Sequence, residues 1–158
     1  MPGSYLGAIG VLELVPSHGR YVLRPVVEGD FDFLWALKVA TLRPYIQKLY
    51  GWDEAQAQTI LRRVMDQAHL VLVAGEPAGL LKVEINGGFV YLAEIGLVPP
   101  LQNQGLGTQI IQDVLAAADR EGLAVELQVF SDNPAVRLYE RLGFSESHKK
   151  MFRPAVGG

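Results

Sequence analysis

Two glycines and three polar residues follow an apolar stretch at a spacing that could bind an anion. The segment reads Gln102-Asn103-Gln104-Gly105-Leu106-Gly107 and leads into an amphipathic stretch with helical spacing. The first turn of a helix carries unpaired N–H groups and the positive end of the helix dipole. Glycine has no Cβ, so the backbone can approach a phosphate closely. The spacing therefore predicts a phosphate-binding loop.

Other nucleotide-binding patterns fit this loop poorly. A Walker-type loop needs a lysine, and none is present here. The dinucleotide fingerprint needs a third glycine, but Ile110 stands at that position. A nucleotide-binding module of either class is therefore disfavoured.

The loop lies between elements whose order predicts an α+β fold with a mixed sheet. Strands are expected over 21–24, 70–74, 78–85, 89–97 and 124–129 and from Phe144 onward, and helices over 31–41, 57–68, 108–120 and 134–142. Asp30, Asp53 and Asn133 are placed to cap three of these helices. Apolar spacing predicts the buried face of the first three helices: Leu34, Leu37 and Thr41 in the first, Ala57, Ile60, Leu61, Val64, Met65 and Ala68 in the second, and Ile110, Ile111, Val114, Leu115 and Ala118 in the third. Pro44 is expected to end or kink the first helix at Arg43.

Composition narrows the classes of protein and of site. The chain has 158 residues, no cysteine and a net charge of −3. It is therefore expected to form one domain without thiolate chemistry or a metal site, and not to bind nucleic acid through bulk charge. His18, His69 and His148 have no metal-ligand spacing. No apolar run approaches the roughly 18 residues of a membrane span, so we expect a cytoplasmic protein without membrane partners.

Two segments together resemble the motifs of the GCN5-related N-acetyltransferase (GNAT) family. The first is Leu97-x-Pro99-x-x-Gln102-x-x-Gly105-x-Gly107, and the second is Asn133-Pro134-Ala135-Val136-Arg137-Leu138-Tyr139-Glu140-Arg141-Leu142-Gly143-Phe144. They stand in the family's order, and the similarity extends over residues 21–152. The resemblance implies a central, mostly antiparallel mixed sheet of about six to seven strands with about four helices. It also implies that residues 21–158 form one acetyltransferase domain.

The resemblance further implies acetyl-CoA as cosubstrate and assigns the residues that bind it. Backbone amides of the loop would bind the pyrophosphate, Gln102 would order the loop, and backbone groups of the preceding strand would pair with the pantetheine arm. Asn133 would hydrogen-bond the pantetheine, although plain helix capping is an equal alternative. The expected cofactor residues are Ile95, Leu97, Gln102, Gln104, Gly105, Gly107, Thr108 and Asn133.

Direct attack of an amine on a thioester needs a base for the amine and an acid for the departing thiolate. Tyr139 matches the family tyrosine that protonates the thiolate; core packing is the alternative. Glu94, just before the loop, is the candidate base, and an ion-paired or solvent-facing glutamate is the alternative. Glu84 on the adjacent strand is the second carboxylate.

The acceptor is expected to be a primary amine of a small molecule or a peptide. Tyr45, Tyr50 and Trp52, with Glu84, are expected near it, because the family's N-terminal helices usually wall the acceptor pocket. Packing of the helix junction is the alternative for the aromatic residues. A non-catalytic acyl-CoA-binding or regulatory domain is the alternative function.

Both ends of the chain leave alternatives open. Only fourteen residues follow Phe144, where the family usually has two strands. The last hairpin is abbreviated, or residues 1–20 form an extension that supplies an extra strand, or a partner subunit in a homodimer completes the edge.

Overall fold

The computed structural model describes residues 14, 19–41, 43–129, 133, 135–147 and 150–155. The strands are β1 (Val22–Pro25), β2 (His69–Val73), β3 (Glu76–Asn86), β4 (Phe89–Leu97), β5 (Ala124–Gln128), β6 (Ser145–Ser147) and β7 (Lys150–Arg153). The helices are α1 (Phe31–Thr41), α2 (Arg43–Tyr50), α3 (Glu54–Met65), α4 (Leu106–Arg120) and α5 (Ala135–Arg141), with 3-10 turns at Glu28–Asp30 and Pro99–Leu101.

The seven strands form one sheet in the order β1-β2-β3-β4-β5-β7-β6. β2 pairs antiparallel with β1 and β3, and β7 pairs antiparallel with β5 and β6. The β4–β5 pair is parallel, with Phe89 opposite Ala124 and Tyr91 opposite Glu126. The expected α+β fold with a mostly antiparallel mixed sheet is therefore confirmed.

The chain divides into two compact units. One comprises Gly19–Lys82 and Glu94–Gly107, and we call it the loop unit because it holds the glycine loop. The other comprises Met1–His18, Val83–Ala93 and Thr108–Gly158, and we call it the tyrosine unit because it holds Tyr139. The boundaries cut β3, β4 and α4, so each of these elements contributes residues to both units.

The core of the loop unit forms where α1 and α3 pack on the sheet. Its buried residues are Leu34, Leu37, Leu61, Met65, Ala68, Leu70 and Leu80. Leu34 and Leu37 come from the face predicted for α1, and Leu61 and Met65 from the stripe predicted for α3. Ile60 also belongs to that stripe but stays exposed, so the buried face is narrower than the sequence suggested.

The tyrosine unit buries the predicted face of α4. Ile110, Ile111, Val114, Leu115 and Ala118 are all buried in it. On the same helix Asp119 accepts two hydrogen bonds of 2.9 Å from the guanidinium of Arg153 on β7. A two-pronged contact between an arginine and a carboxylate holds both side chains in one orientation and so fixes the end of β7 against α4.

Two predictions around the first helices are wrong in detail. Helix α1 ends at Thr41, and a further helix, α2, begins at Arg43 with Pro44 in its first turn. Proline is tolerated there because the first N–H groups of a helix have no intrahelical partner. The carboxylate of Asp30 accepts hydrogen bonds from the guanidinium of Arg24 and from the N–H of Val27. It thereby closes the 3-10 turn before α1, and the bond from Arg24 lowers its pKa.

The predicted caps of the other two helices are confirmed. Asp53 accepts a 3.0 Å hydrogen bond from the N–H of Gln56 at the start of α3. Asn133 accepts a 2.9 Å hydrogen bond from the N–H of Ala135 at the start of α5. The carboxylate oxygen of Asp53 and the carboxamide oxygen of Asn133 each accept a hydrogen bond from an N–H group that the helix itself leaves unpaired.

The C-terminal segment forms a short hairpin, β6 and β7, so an abbreviated version of the last two strands is present. The expected extension, residues 1–20, lies outside the described residues except for Leu14, Gly19 and Arg20. No helix within the described ranges is long and apolar enough to cross a membrane. His69 is buried, consistent with a structural role, whereas His18 and His148 lie outside the described residues.

Candidate active site

Side chains of the glycine loop form hydrogen bonds to the backbone that precedes it. Gln102 donates a 3.0 Å hydrogen bond to the carbonyl of Leu97, and Gln104 donates a 2.8 Å bond to the carbonyl of Pro100. Asn103 and Gly105 have φ angles of 61° and 82°. This left-handed backbone is accessible to asparagine and glycine more readily than to other residues. These hydrogen bonds and the residues suited to a left-handed backbone therefore stabilise the loop conformation.

Helix α4 begins at Leu106, two residues earlier than predicted, so Gly107 lies in its first turn. A Cβ added to Gly107 would lie 3.7 Å from Cδ1 of Leu97, an ordinary contact. Neither its φ nor its packing requires a glycine, and glycine within a helix costs about 1 kcal/mol relative to alanine. Bare backbone at this turn is instead what a closely bound phosphate needs. The first turn of α4 therefore leaves backbone N–H groups accessible to an anion.

The end of β4 packs tightly on β3. The N–H of Val98 donates a 2.9 Å hydrogen bond to the carbonyl of Ala78. A Cβ built on Gly79 would overlap the carbonyl oxygen of Gly96 and lie 2.9 Å from Cδ2 of Leu97. Gly79 therefore allows the strand that leads into the loop to approach β3.

Replacing Gly79 by alanine is expected to destabilise the protein by about 2 kcal/mol, because backbone of β4 must move to make room. The measurement is the free energy of unfolding in urea. Gly29→Ala is the matched control, since a Cβ there meets nothing within 4 Å, and it should change stability by less than about 0.5 kcal/mol. Equal effects of the two substitutions would contradict the close approach at Gly79.

Glu94 on β4 is half-buried and acts electrostatically with two lysines of the same unit. Burial raises the pKa of its carboxyl, and the charges of Lys38 on α1 and Lys82 on β3 oppose that rise. Burial in turn lowers the pKa of Lys38, and Glu94 counters that effect. A Cβ on Gly96 would lie 3.9 Å from Cδ2 of Leu37, which places α1 beside this part of β4. The carboxyl can therefore hold or release a proton nearer to neutral pH than a solvated glutamate.

Tyr139 is 7% exposed on α5 and packs edge-to-face on Phe144, with the ring centroids 5.6 Å apart. Its carbonyl accepts a 3.0 Å hydrogen bond from the N–H of Phe144 at the helix end. Gly143, at a φ of 98°, makes this reversal of the chain. The turn at Gly143 and Phe144, which ends α5, therefore holds the Tyr139 side chain in place.

The sequence-predicted residues fall into both units. Glu94, Ile95, Leu97, Gln102, Gln104, Gly105 and Gly107 belong to the loop unit, and Thr108, Asn133, Tyr139 and Glu84 to the tyrosine unit. Within the tyrosine unit, the register of β4 with β5 ends at Tyr91 opposite Glu126, although β4 runs on to Leu97. Ile95 and Leu97 therefore lie on a stretch of β4 beyond the pairs formed with β5.

Residues 45–154 match the acetyltransferase (GNAT) domain. The chain belongs to the GNAT acetyltransferase family. The match covers more than two thirds of the 158 residues and contains both motifs, the loop and the helix of Tyr139. Arg20, Lys38 and β1 precede the matched range, so they are features of this GNAT chain outside the matched domain.

Several solved structures share the fold at low sequence identity. The PaiA N-acetyltransferase of Thermoplasma acidophilum, solved with coenzyme A, is 11% identical with a TM-score of 0.64 over 85% of this chain and 98% of its own. The ribosomal-protein-S18-alanine N-acetyltransferase of Escherichia coli is 17% identical with a TM-score of 0.68, covering 87% and 96%. Arabidopsis thaliana Naa50, solved with the bisubstrate analogue CoA-Ac-MVNAL, is 14% identical with a TM-score of 0.58, covering 84% and 95%.

The expected acceptor residues fall into both units. Trp52 packs against Trp35, with centroids 6.0 Å apart, and the guanidinium of Arg43 lies 5.6 Å from its ring centroid. The ring of Trp52 therefore contacts one cation of its own unit. Tyr50 is 73% exposed, Glu84 lies on β3 in the other unit, and the side chain of Tyr45 is outside the described residues. Trp52 Nε1 is buried without a hydrogen-bond partner among the described residues.

Sequence reasoning missed three charged residues of the site. Lys38 and Lys82 act on Glu94, and Arg20 donates a 3.1 Å hydrogen bond to the carbonyl of Gln104. Lys38 carried a weak signal, since it is the one basic residue of an otherwise mostly apolar helix, α1. Arg20 is 84 positions from its partner Gln104, and no pattern in the sequence indicates that contact. Within the described ranges no group of three or more potential metal ligands is close enough to hold an ion.

Proposed function

We propose that the protein transfers the acetyl group of acetyl-CoA to a primary amine of a small molecule or a peptide. The observation that carries the proposal is the loop from Gln102 to Gly107 in a chain of the GNAT family. Its φ angles and its bare backbone at Gly107 fit a bound pyrophosphate. The structure of a fold relative with coenzyme A supports the same cosubstrate.

The backbone amides of Gln104, Gly105, Gly107 and Thr108 would bind the pyrophosphate, and Gln102 orders the loop through its bond to the Leu97 carbonyl. Ile95 and Leu97 would bind the pantetheine arm through backbone groups, since they lie beyond the pairs of β4 with β5. Asn133 caps α5, and in this proposal it also bonds the pantetheine through an atom that the cap does not use.

Acetyl-CoA, when bound, supplies the thioester whose carbonyl carbon the amine attacks. Glu94 accepts a proton from the attacking amine, directly or through one water, because an ammonium has no lone pair to form the new C–N bond. Tyr139 donates its phenolic proton as the C–S bond breaks, so that the products are the acetylated amine and the free thiol. A phenol of pKa about 10 and a thiol of pKa about 8.5 are matched closely enough for this transfer.

The acceptor class is supported by two of the fold relatives. One is a ribosomal-protein-S18-alanine N-acetyltransferase, and one was solved with the bisubstrate analogue CoA-Ac-MVNAL. The first panel of acceptors should therefore contain peptides with a free N-terminal alanine or methionine. Lysine peptides, polyamines and free amino acids complete the panel.

Release of free thiol tests the proposal directly. The chain contains no cysteine, so a thiol-reactive dye detects only the coenzyme A that the reaction liberates. Amine-dependent thiol release, with the acetylated product found by mass spectrometry, is the expected result. Binding of acetyl-CoA without thiol release for any amine class would favour a non-catalytic acyl-CoA-binding domain. Absence of acetyl-CoA binding would overturn both functions.

Lys38→Met is expected to move the acidic limb of the kcat/KM profile to higher pH. Burial holds the pKa of Glu94 above its ordinary value, so the base form is lost as the pH falls through that raised value. Removing the cation that favours the carboxylate raises this pKa further and therefore shifts the limb upward. Lys82→Met should give a smaller shift in the same direction, and Lys38→Arg should restore the wild-type profile. A lower rate with an unmoved limb would mean that Lys38 acts only in packing.

A further inference from the structure

The glycine loop has no cation of its own. Between Lys82 and Arg120 the sequence contains no lysine, arginine or histidine. The proposed ligand of this loop, a pyrophosphate, carries about two negative charges near neutral pH. Backbone N–H groups and the helix dipole supply only partial positive charge. A loop of this kind therefore gains affinity from any cation that another part of the chain brings to it.

Arg20 brings such a cation to the loop. It precedes β1, and its Nη2 donates a 3.1 Å hydrogen bond to the carbonyl of Gln104. Its Nη1 lies 3.7 Å from where a Cβ on Gly105 would be. The guanidinium therefore lies directly beside the loop backbone. Arg20, Gln104 and Gly105 all belong to the loop unit.

The bond to Gln104 leaves most of the guanidinium's capacity for a ligand. A guanidinium has five N–H donors in a planar fork, and this contact uses one of them. Arg20 is exposed, as are Gln104 and Gly105, so a solvent-borne anion can reach them. The same bond covers a carbonyl oxygen that would otherwise repel a phosphate. Arginine also matches the two-oxygen geometry of a phosphate better than lysine does.

We propose that Arg20 is a phosphate-binding residue. Its guanidinium contacts the glycine loop and binds the pyrophosphate of coenzyme A. The proposal rests on the function proposed above and adds a residue outside the matched domain, residues 45–154. It assigns to the segment before β1 a part in cofactor binding. It also explains how a loop without basic residues, in a chain of net charge −3, binds a polyanion.

The test measures coenzyme A binding by titration calorimetry in wild type, Arg20→Gln and Arg20→Lys. Arg20→Gln keeps a donor for the Gln104 carbonyl but removes the charge, and it should weaken binding about tenfold. Arg20→Lys keeps the charge and should lose less. Lys48→Gln, which removes one exposed charge from α2 in the same unit, controls for bulk charge and should leave the affinity unchanged.

Two analogues identify the phosphate that Arg20 binds. Dephospho-CoA lacks the 3′-phosphate but keeps the pyrophosphate, so Arg20→Gln should weaken its binding by the same factor. S-acetylpantetheine has no pyrophosphate, and its KM should not respond to the substitution. The affinity of wild type for coenzyme A should also fall more steeply with added salt than that of Arg20→Gln.

The outcomes separate this proposal from the proposed function. Equal coenzyme A affinities of wild type and Arg20→Gln would overturn the role of Arg20 while leaving the cosubstrate intact. A loss for coenzyme A that vanishes with dephospho-CoA would move Arg20 to the 3′-phosphate and overturn the pyrophosphate assignment. Failure of wild type to bind coenzyme A would instead overturn the proposed function.

Discussion

Glu94→Gln is expected to lower kcat by about 10²- to 10⁴-fold, the range typical of a lost general base. The amide matches the carboxyl in shape but accepts no proton from the amine. The substitution should not unfold the protein, because burial already disfavours the charged carboxylate. Steady-state turnover with saturating acetyl-CoA and a responsive amine measures the effect. The affinity for coenzyme A should stay within a factor of about two, as Glu94 lies outside the loop proposed to bind it.

Glu84→Gln is the matched control, since Glu84 is the other carboxylate that the sequence offers. It lies on β3 and is also half-buried. A large loss of turnover in Glu84→Gln with little loss in Glu94→Gln would transfer the role of base to Glu84. Equal, small losses in both variants would point to a base outside these two strands or to an amine that binds already deprotonated.

The pH dependence gives a second readout of Glu94. In wild type, kcat/KM should fall on the acidic side as the raised pKa of this carboxyl is crossed, and Glu94→Gln should lack that limb. Ionisation of the free amine also produces an acidic limb, so the comparison uses an acceptor whose own pKa is known. A limb that survives unchanged in Glu94→Gln would belong to the acceptor.

Patterns that depend on neighbouring residues predicted much of the fold. The strand Phe89–Leu97 has the predicted bounds. Its apolar residues alternate between a glycine turn and a proline pair, and this pattern predicts a strand that begins and ends at those two signals. The stripe behind Asp53 predicted α3, and both the cap and three of its apolar residues are in place. The loop and the Tyr139 helix were predicted as motifs, since their function requires consecutive residues.

The remaining features depend on contacts between distant positions. Arg20 meets Gln104 across 84 positions, and the charges that act on Glu94 come from α1 and β3. Neither leaves a periodic signal in the sequence. Helix α2 was missed because Pro44 was interpreted as a terminator, although proline also fits the first turn of a new helix. The contacts of Trp52 with Trp35 and with the guanidinium of Arg43 also join positions 17 and 9 residues apart, and its expected place near the acceptor stays a prediction.

Tyr139→Phe is expected to lower kcat at saturating acetyl-CoA by about 10²-fold, because the departing thiolate loses its proton donor. The fold should tolerate the change, since the ring keeps its edge-to-face packing on Phe144. Tyr91→Phe is the matched control in the same unit. It removes a hydroxyl that bonds Gln128 at 3.3 Å and should leave turnover unchanged.

The basic side of the pH profile distinguishes proton donation by Tyr139 from a packing role. A group that must donate a proton loses activity once it ionises, so the rate of wild type should decline at high pH and that of Tyr139→Phe should not. Single-turnover rates should fall as kcat does, which places the defect in the chemical step and not in product release. Turnover equal to wild type in Tyr139→Phe would remove the tyrosine from the mechanism and leave water as the proton donor.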